Sequence, residues 1–211
     1  MLVFILSGFL YFNVITEIYK DTENNKALFE RRNCLNSNVH AYTVLILSVL
    51  YLVNYSFIVK FYSGLLGCSA MFAAYDISVL HKNNVKNRNA LTLHHGIIIV
   101  GLIILNLYYS DDEYKTKLVA INYLAEFSTP FLNKSLIMYN NNLTHLPQFK
   151  NLNILVVVNY FIFRILGGGV LVYLTSFEST FILVMQSSLT GLNVFWFFKL
   201  IKMALKQRKK K

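Results

Sequence analysis

Acidic residues are scarce in this chain: ten stand against twenty lysines and arginines among 211 residues, leaving a formal net charge of +10. Charge of either sign is thin, at 14% of residues, too little polar surface to cover a soluble globule of this length. A soluble domain is therefore excluded. Proline occurs twice and glycine nine times, so collagen-like repeats and Pro/Gly linkers are excluded, and long helices meet few breakers. The two cysteines, Cys34 and Cys68, supply neither a disulfide framework nor zinc-site spacing. No internal repeat is present, and the Asn-rich patches at Asn24, Asn83 and Asn140–Asn142 read as polar loop filler.

What fills the chain is apolar, at 55% hydrophobic and 15% aromatic. A membrane-crossing helix needs about 20 apolar residues. Seven runs qualify: Leu2–Tyr19, Ala41–Val59, Tyr62–Leu80, Leu91–Tyr109, Lys117–Tyr139, Leu152–Leu174 and Phe177–Ile201. The expectation is an all-α, multi-pass transmembrane bundle of seven helices in one domain. The first run lacks a basic n-region and a small-residue cleavage site before Glu17 and Lys20, so it reads as a retained helix rather than a secretory signal.

Seven crossings put successive loops on alternating sides, which the basic residues test. One side receives Lys20, Lys26, Arg31, Arg32, Lys82, Lys86, Arg88, Lys150, Lys199, Lys202 and the tail from Lys206 to Lys211. The other receives Lys60, Lys115 and Lys117 beside the acidic Asp111-Asp112-Glu113 turn. The expected C-terminus is cytosolic. Although +10 raises the question of nucleic acid, much of the charge directly follows a membrane helix and reads as an anchor for anionic lipid. Nucleic acid is not an expected partner; membrane lipids are, and protein partners stay open. The terminal Arg208-Lys209-Lys210-Lys211 is also a loose form of a dibasic retrieval signal. Of two glycosylation sequons, Asn142 falls on the cytosolic side and Asn54 close to the bilayer, so neither is expected to be modified.

Ionisable groups inside apolar runs are costly, roughly 2.5–3.5 kcal/mol on insertion scales, and so mark function or pairing. Glu126 and Arg164 are two such groups, and Arg164 is the natural partner of Glu126. Both a structural salt bridge and a direct catalytic role for Glu126 remain open. On a continuous helix Asn122, Glu126 and Asn133 share a face with Thr129 nearby, and Gln186, Thr190 and Asn193 repeat the spacing one turn before Trp196. The two stripes are expected to face each other or shared water. Pro130 is expected to kink the fifth helix, as a simple bend or as one that shapes a cavity.

Asp76 lies about one turn from the end of the third run and the adjacent His94 and His95 about one turn into the fourth. With His40 opening the second, they are expected to converge with Asn133 and Asn193 toward the cytosolic face. A neutral imidazole oriented by Asp76 can take a proton from a hydroxyl or amine, as acyl transfer requires. Caps and interhelical hydrogen bonds are the alternative use. His40, His94, His95, Asp76 and Glu126 carry metal-ligating atoms, yet no His-x-x-x-His or Glu-x-x-His pair is present, so no metal is expected.

Six segments carry a resemblance: Asn36-Ser-Asn-Val-His40-Ala41, Tyr75-Asp76, His94-His95-Gly96, Glu126-Phe-Ser-Thr-Pro-Phe-Leu-Asn133, Phe161-Ile-Phe-Arg164 and Leu192-Asn193-Val-Phe-Trp196. In this order the chain resembles the TLC-domain membrane proteins (TRAM, Lag1 and CLN8 homologues), and among them the small TLCD members. The resemblance implies a six-helix, lipid-associated core with an added N-terminal helix, in the endoplasmic reticulum or a related membrane. It divides the chain into residues 1–30, an N-terminal transmembrane helix and cytosolic loop; residues 31–203, the TLC domain; and residues 204–211, a basic cytosolic tail. His94 and His95 are similar to the histidine pair with which ceramide synthases of the family transfer acyl chains. Those enzymes continue into an acidic segment, whereas Gly96-Ile-Ile-Ile-Val follows here, so ceramide synthesis is disfavoured. What the resemblance implies is binding of lipid acyl chains and a part in membrane lipid composition. An acyltransferase form would use His94 or His95 as base, Asp76 to orient it, and acyl-CoA or a phospholipid as acyl donor, with no resident cofactor. The opposing reading is a noncatalytic lipid sensor or a trafficking and cargo-receptor protein of the endoplasmic reticulum.

Overall fold

The computed structural model describes residues 26–53, 56–82, 88–108 and 112–208. Those residues are helical throughout apart from short turns, with no strand among them. We number the helices α1 (Lys26–Leu52), α2 (Ser56–Lys82), α3 (Arg88–Tyr108), α4 (Glu113–Tyr123), α5 (Thr129–Asn140), α6 (Pro147–Tyr160), α7 (Gly167–Thr175) and α8 (Thr180–Arg208). A 3₁₀ segment, Leu124–Ser128, joins α4 to α5, and a π-helical segment, Phe161–Leu166, joins α6 to α7. Six helical rods result among the described residues. The expected first helix, Leu2–Tyr19, lies outside them, as do Asn24, Asn54, Asn83 and the last three lysines.

Four stretches are long and apolar enough to cross a membrane: Asn33–Leu52, Asn89–Tyr108, Pro147–Thr175 and Thr180–Leu205. At about 1.5 Å per residue each covers the roughly 30 Å of a bilayer's hydrocarbon. Large apolar side chains point outward along them, including Ile46 on α1, Val100 and Leu107 on α3, Tyr173 on α7 and Phe198 on α8. An exterior of this kind is costly in water and suited to lipid. The chain is therefore a multi-pass membrane protein by the composition and length of its helices.

The chain divides into two compact units: residues 26–29 with 43–123, and residues 30–42 with 124–208. In the first, Val44, Ser48 and Tyr51 recur at helical spacing on α1, so one face of that helix is buried. Val44 and Tyr51 pack with Tyr62, Leu65, Leu66 and Ala70 of α2, Leu102 and Leu105 of α3, and Ala120 and Tyr123 of α4. The Tyr51 and Tyr62 rings stack at 4.3 Å, and Ser48 Oγ lies 3.1 Å from the Tyr62 hydroxyl. α2 and α3 form an antiparallel hairpin. Asp112 opens α4: its carboxylate accepts the Lys115 N–H at 3.0 Å and pairs with the Lys115 ammonium.

The second unit has a more polar interior. Phe149, Val156, Tyr160 and Leu171 are buried beside Ser128, Thr129, Asn133, Ser135, Asn153, Arg164, Gln186 and Asn193. Since lipid tails are as apolar as leucine, hydrogen bonds and close packing of small residues hold membrane helices together. Ser135 Oγ donates to Asn153 Oδ1 at 2.6 Å, joining α5 to α6. At Gly168 an added Cβ would stand 3.0 Å from Thr190 Oγ1, so α7 and α8 approach through that glycine.

Several expectations are corrected. Arg31, Arg32 and Cys34 lie within α1 rather than a loop, and His40 sits mid-helix instead of opening it. Pro130 is the second residue of α5, directly after the 3₁₀ segment, so regular α-helical hydrogen bonding is interrupted beside it within the rod. Pro147 likewise opens α6 after the extended Leu146. The Asn140–Asn142 patch is not filler. Asn142 adopts φ 58°, and the N–H groups of Asn142 and Leu143 return to the carbonyls of Tyr139 and Met138. That is a Schellman C-cap, with asparagine in the left-handed conformation usually given to glycine.

Candidate functional site

The 3₁₀ segment changes which residues share a face. It turns about 120° per residue against about 100° for an α-helix, so the single period that the expected stripe of Asn122, Glu126 and Asn133 assumes does not run through Glu126. Asn133 instead donates from Nδ2 to Asn38 Oδ1 at 2.7 Å, tying α5 to α1. Glu126 is turned toward the π segment.

There Arg164 is buried, with 8% of its surface exposed. Its Nε donates to Ser128 Oγ at 2.8 Å, and its Nη2 to Thr129 Oγ1 at 2.7 Å and Glu126 Oε1 at 3.4 Å. Thr129 Oγ1 in turn donates to Glu126 Oε2 at 2.6 Å, and Ser128 Oγ to the Ala125 carbonyl at 2.9 Å. The Tyr160 ring lies 5.3 Å from the guanidinium carbon and its hydroxyl donates to Asn193 Oδ1 at 3.2 Å. The expected partnership of Glu126 and Arg164 is thus present as an ion pair. Both members of the pair sit on irregular turns, Glu126 on the 3₁₀ segment and Arg164 on the π segment.

The α8 stripe faces the α6–α7 rod and not the Glu126 stripe. Gln186 Nε2 donates to Thr190 Oγ1 and Thr190 Oγ1 to the Gly168 carbonyl, each at 3.4 Å, while Asn193 accepts from Tyr160. His40 is half-buried in α1 and belongs to this unit.

The second constellation lies in the α2–α3 hairpin. His95 Nδ1 stands 3.1 Å from Asp76 Oδ2, with side chains 13% and 16% exposed. The His94 ring is 5.3 Å from that of His95 and tilted by 53°. Toward the loop end of the hairpin, His81 Nε2 lies 3.1 Å from Thr92 Oγ1. The two contacts are in antiparallel register, five residues back on α2 and three on along α3. An imidazole held at ion-pair distance from a carboxylate is the residue pairing of a general base steadied by an acid. The same contact also clamps the two helices.

Asp76, His94 and His95 therefore belong to the first unit, while His40, Glu126, Thr129, Asn133, Arg164, Gln186 and Asn193 belong to the second. Sequence reasoning missed His81 and Tyr160, and expected Ser128 only as a partner for a backbone carbonyl near Pro130, a kind of bond it does make, to the Ala125 carbonyl. Tyr160 was findable, four residues before Arg164 and so on the same helical face; the bond from Arg164 to Ser128 was not expected. Among the described residues no group of three or more His, Cys, Asp or Glu side chains is placed to hold a metal. Comparison with protein-family models, with curated proteins and with solved structures found no match to this chain.

Proposed function

We propose that this multi-pass membrane protein is of the TLC-domain type, binds lipid acyl chains and contributes to membrane lipid composition. In this reading it has seven crossings, counting Leu2–Tyr19, and works in the endoplasmic reticulum or a related membrane with its C-terminus in the cytosol. The observation that carries the reading is the contact of Asp76 with His95 between two apolar helices, with His94 beside it. An acid–imidazole pair is expensive in such surroundings and is kept where it does chemistry or holds a polar ligand. As chemistry, it supports acyl transfer: His95 accepts the proton of an attacking hydroxyl or amine, Asp76 steadies the resulting imidazolium, and His94 orients the reacting groups. A thiol or lysolipid leaves with the proton returned.

One observation favours a noncatalytic sensor or trafficking role instead. His81 with Thr92 and His95 with Asp76 bridge the same two helices at successive levels, as a purely structural ladder would. The deciding experiment purifies the protein in lipid, identifies co-purifying species by mass spectrometry, and compares acyl exchange in unmutated protein, His94→Ala and His95→Ala. Loss of turnover in His95→Ala with retained lipid supports acyl transfer. Equal turnover in all three removes the histidine mechanism, and bound lipid without any acyl product favours the sensor. Absence of bound lipid removes the proposal.

A further inference from the structure

α8 is longer than a bilayer is thick. Counting about 30 Å of hydrocarbon from Thr180 at about 1.5 Å per residue ends near Lys199, and the helix runs on to Arg208. Its neighbours in the second unit end at the same level. α6 runs antiparallel to α8 with Tyr160 opposite Asn193, so equal steps along the two helices set Ile154 level with Lys199 and Lys150 level with Met203. α5 is antiparallel to α6, and the bond between Ser135 and Asn153 sets Lys134 level with Ile154. Three helices thus carry two tiers of lysine: Lys134 with Lys199 and, about 5 Å further out, Lys150 with Lys202. All four are exposed. Of the acids in this unit, Glu126 pairs with Arg164 about 15 Å deeper, Glu178 precedes α8 at its opposite end, and Glu30 is followed directly by Arg31 and Arg32.

We propose that these two tiers bind the heads of anionic phospholipids in the leaflet where α8 ends, with the acyl chains lying on Leu155, Val158, Phe195 and Phe198, which are exposed just inside that level. Charge decides the partner. Four ammonium groups gathered at one level favour negative heads, each lysine near a membrane surface by a factor of about five. A lysine is a compact charge on a flexible stem, so it follows a mobile phosphate without the fixed fork of an arginine. The contact lies on the outside of the second unit. It is separate from the Asp76–His95 reading and needs only that the chain crosses a membrane. It also differs from an anchor made by the terminal lysines, since Lys134 and Lys150 come from other helices.

The chain's one tryptophan, Trp196, lies about one turn before Lys199 on α8, so its quenching by brominated phospholipid reports which lipids stand against this surface. The test reconstitutes the full-length protein in mixed bilayers of phosphatidylserine and phosphatidylcholine, one brominated and then the other, and takes the ratio of their affinities. Phosphatidylserine should be preferred about fivefold in about 0.05 M salt and about twofold in about 0.5 M. Combining Lys134→Gln, Lys150→Gln and Lys202→Gln should bring the ratio to about one. Lys199 is left in place because its Nζ stands 4.2 Å from the centre of the Phe195 ring. Arginine at the same three positions should keep the preference, as should Lys209→Gln, Lys210→Gln and Lys211→Gln together. A ratio of about one in the unmutated protein overturns the proposal. So does an unchanged ratio in the triple glutamine variant, or a loss in the arginine variant, which has all the charge. Loss in the terminal variant alone moves the contact to the tail and overturns the two tiers.

Discussion

Separating Arg164 from Glu126 should destabilise the protein far more than removing both. Arg164→Leu takes the guanidinium away from the Glu126 carboxylate and removes the bonds to Ser128 and Thr129. Glu126→Leu leaves the buried guanidinium with two hydroxyls and an aromatic face but no counter-charge. Breaking a buried pair from one side typically costs about 3–5 kcal/mol, whereas replacing both partners with apolar groups is often near neutral. The 3.4 Å separation and the partial exposure of Glu126 place Glu126→Leu toward the lower end and Arg164→Leu, with three bonds lost, toward the upper. Summed, the single changes predict about 8 kcal/mol; the double variant is expected at about 2–4 kcal/mol, giving a coupling of at least about 4 kcal/mol. Reversible unfolding in mixed micelles, followed by circular dichroism across the four proteins, measures this directly. Additivity within about 0.5 kcal/mol would refute the pairing and with it the account of the irregular segments.

Neighbouring glycines should respond with opposite signs. Gly169→Ala meets nothing within 4 Å and gains helix propensity, raising stability by up to about 1 kcal/mol, while Gly168→Ala pushes on Thr190 and lowers it by about 1 kcal/mol. Melting temperatures in one detergent give the comparison. Asn142→Gly should be tolerated and Asn142→Val should cost about 1–2 kcal/mol, because a β-branched residue resists the left-handed conformation; hydrogen exchange at the end of α5 reports it. Hydrogen bonds from the Lys115 side chain and backbone hold the Asp112 carboxyl below its usual pKa. A lowered folded-state pKa contributes stability above the unfolded value, near 4, that is lost as pH falls through the folded value. Protection of the first-turn amides of α4, their exchange taken relative to the intrinsic rate at each pH, should therefore fall on acidification below about pH 4, and Asp112→Ala should remove that loss; an identical profile in the variant would refute the cap.

Helix existence was legible in the sequence because long apolar runs leave little choice in a membrane. Boundaries were less so. α1 begins at Lys26, fifteen residues before the apolar run at Ala41, because Asn33, Asn36, Asn38 and His40 are polar residues that hydropathy assigns to a loop. In the structure Asn36 is buried and Asn38 accepts from Asn133, so tertiary hydrogen bonding recruits those turns into the helix. The pairing of Arg164 with Glu126 was legible from energy alone, since each is costly without the other. The face on which they meet was not, because spacing arguments assume one period along the whole rod.

That failure has a physical cause which ties the fold to the candidate sites. Tightening Leu124–Ser128 into a 3₁₀ turn and widening Phe161–Leu166 into a π turn each sacrifice good α-helical hydrogen-bond geometry. In an apolar medium such losses persist only where a larger gain offsets them, and the Arg164 network of Ser128, Thr129 and Glu126 is that gain. The α2–α3 hairpin needs no such adjustment. Asp76 and His95 meet across two unbroken helices, in register with His81 and Thr92. A constellation carried on regular helices is held by the packing around it, whereas one carried on irregular turns depends on its own bonds and responds to whatever competes for them. The Asp76–His95 contact is thus fixed by the packing of two regular helices, and the Arg164 network by the bonds its own side chains make.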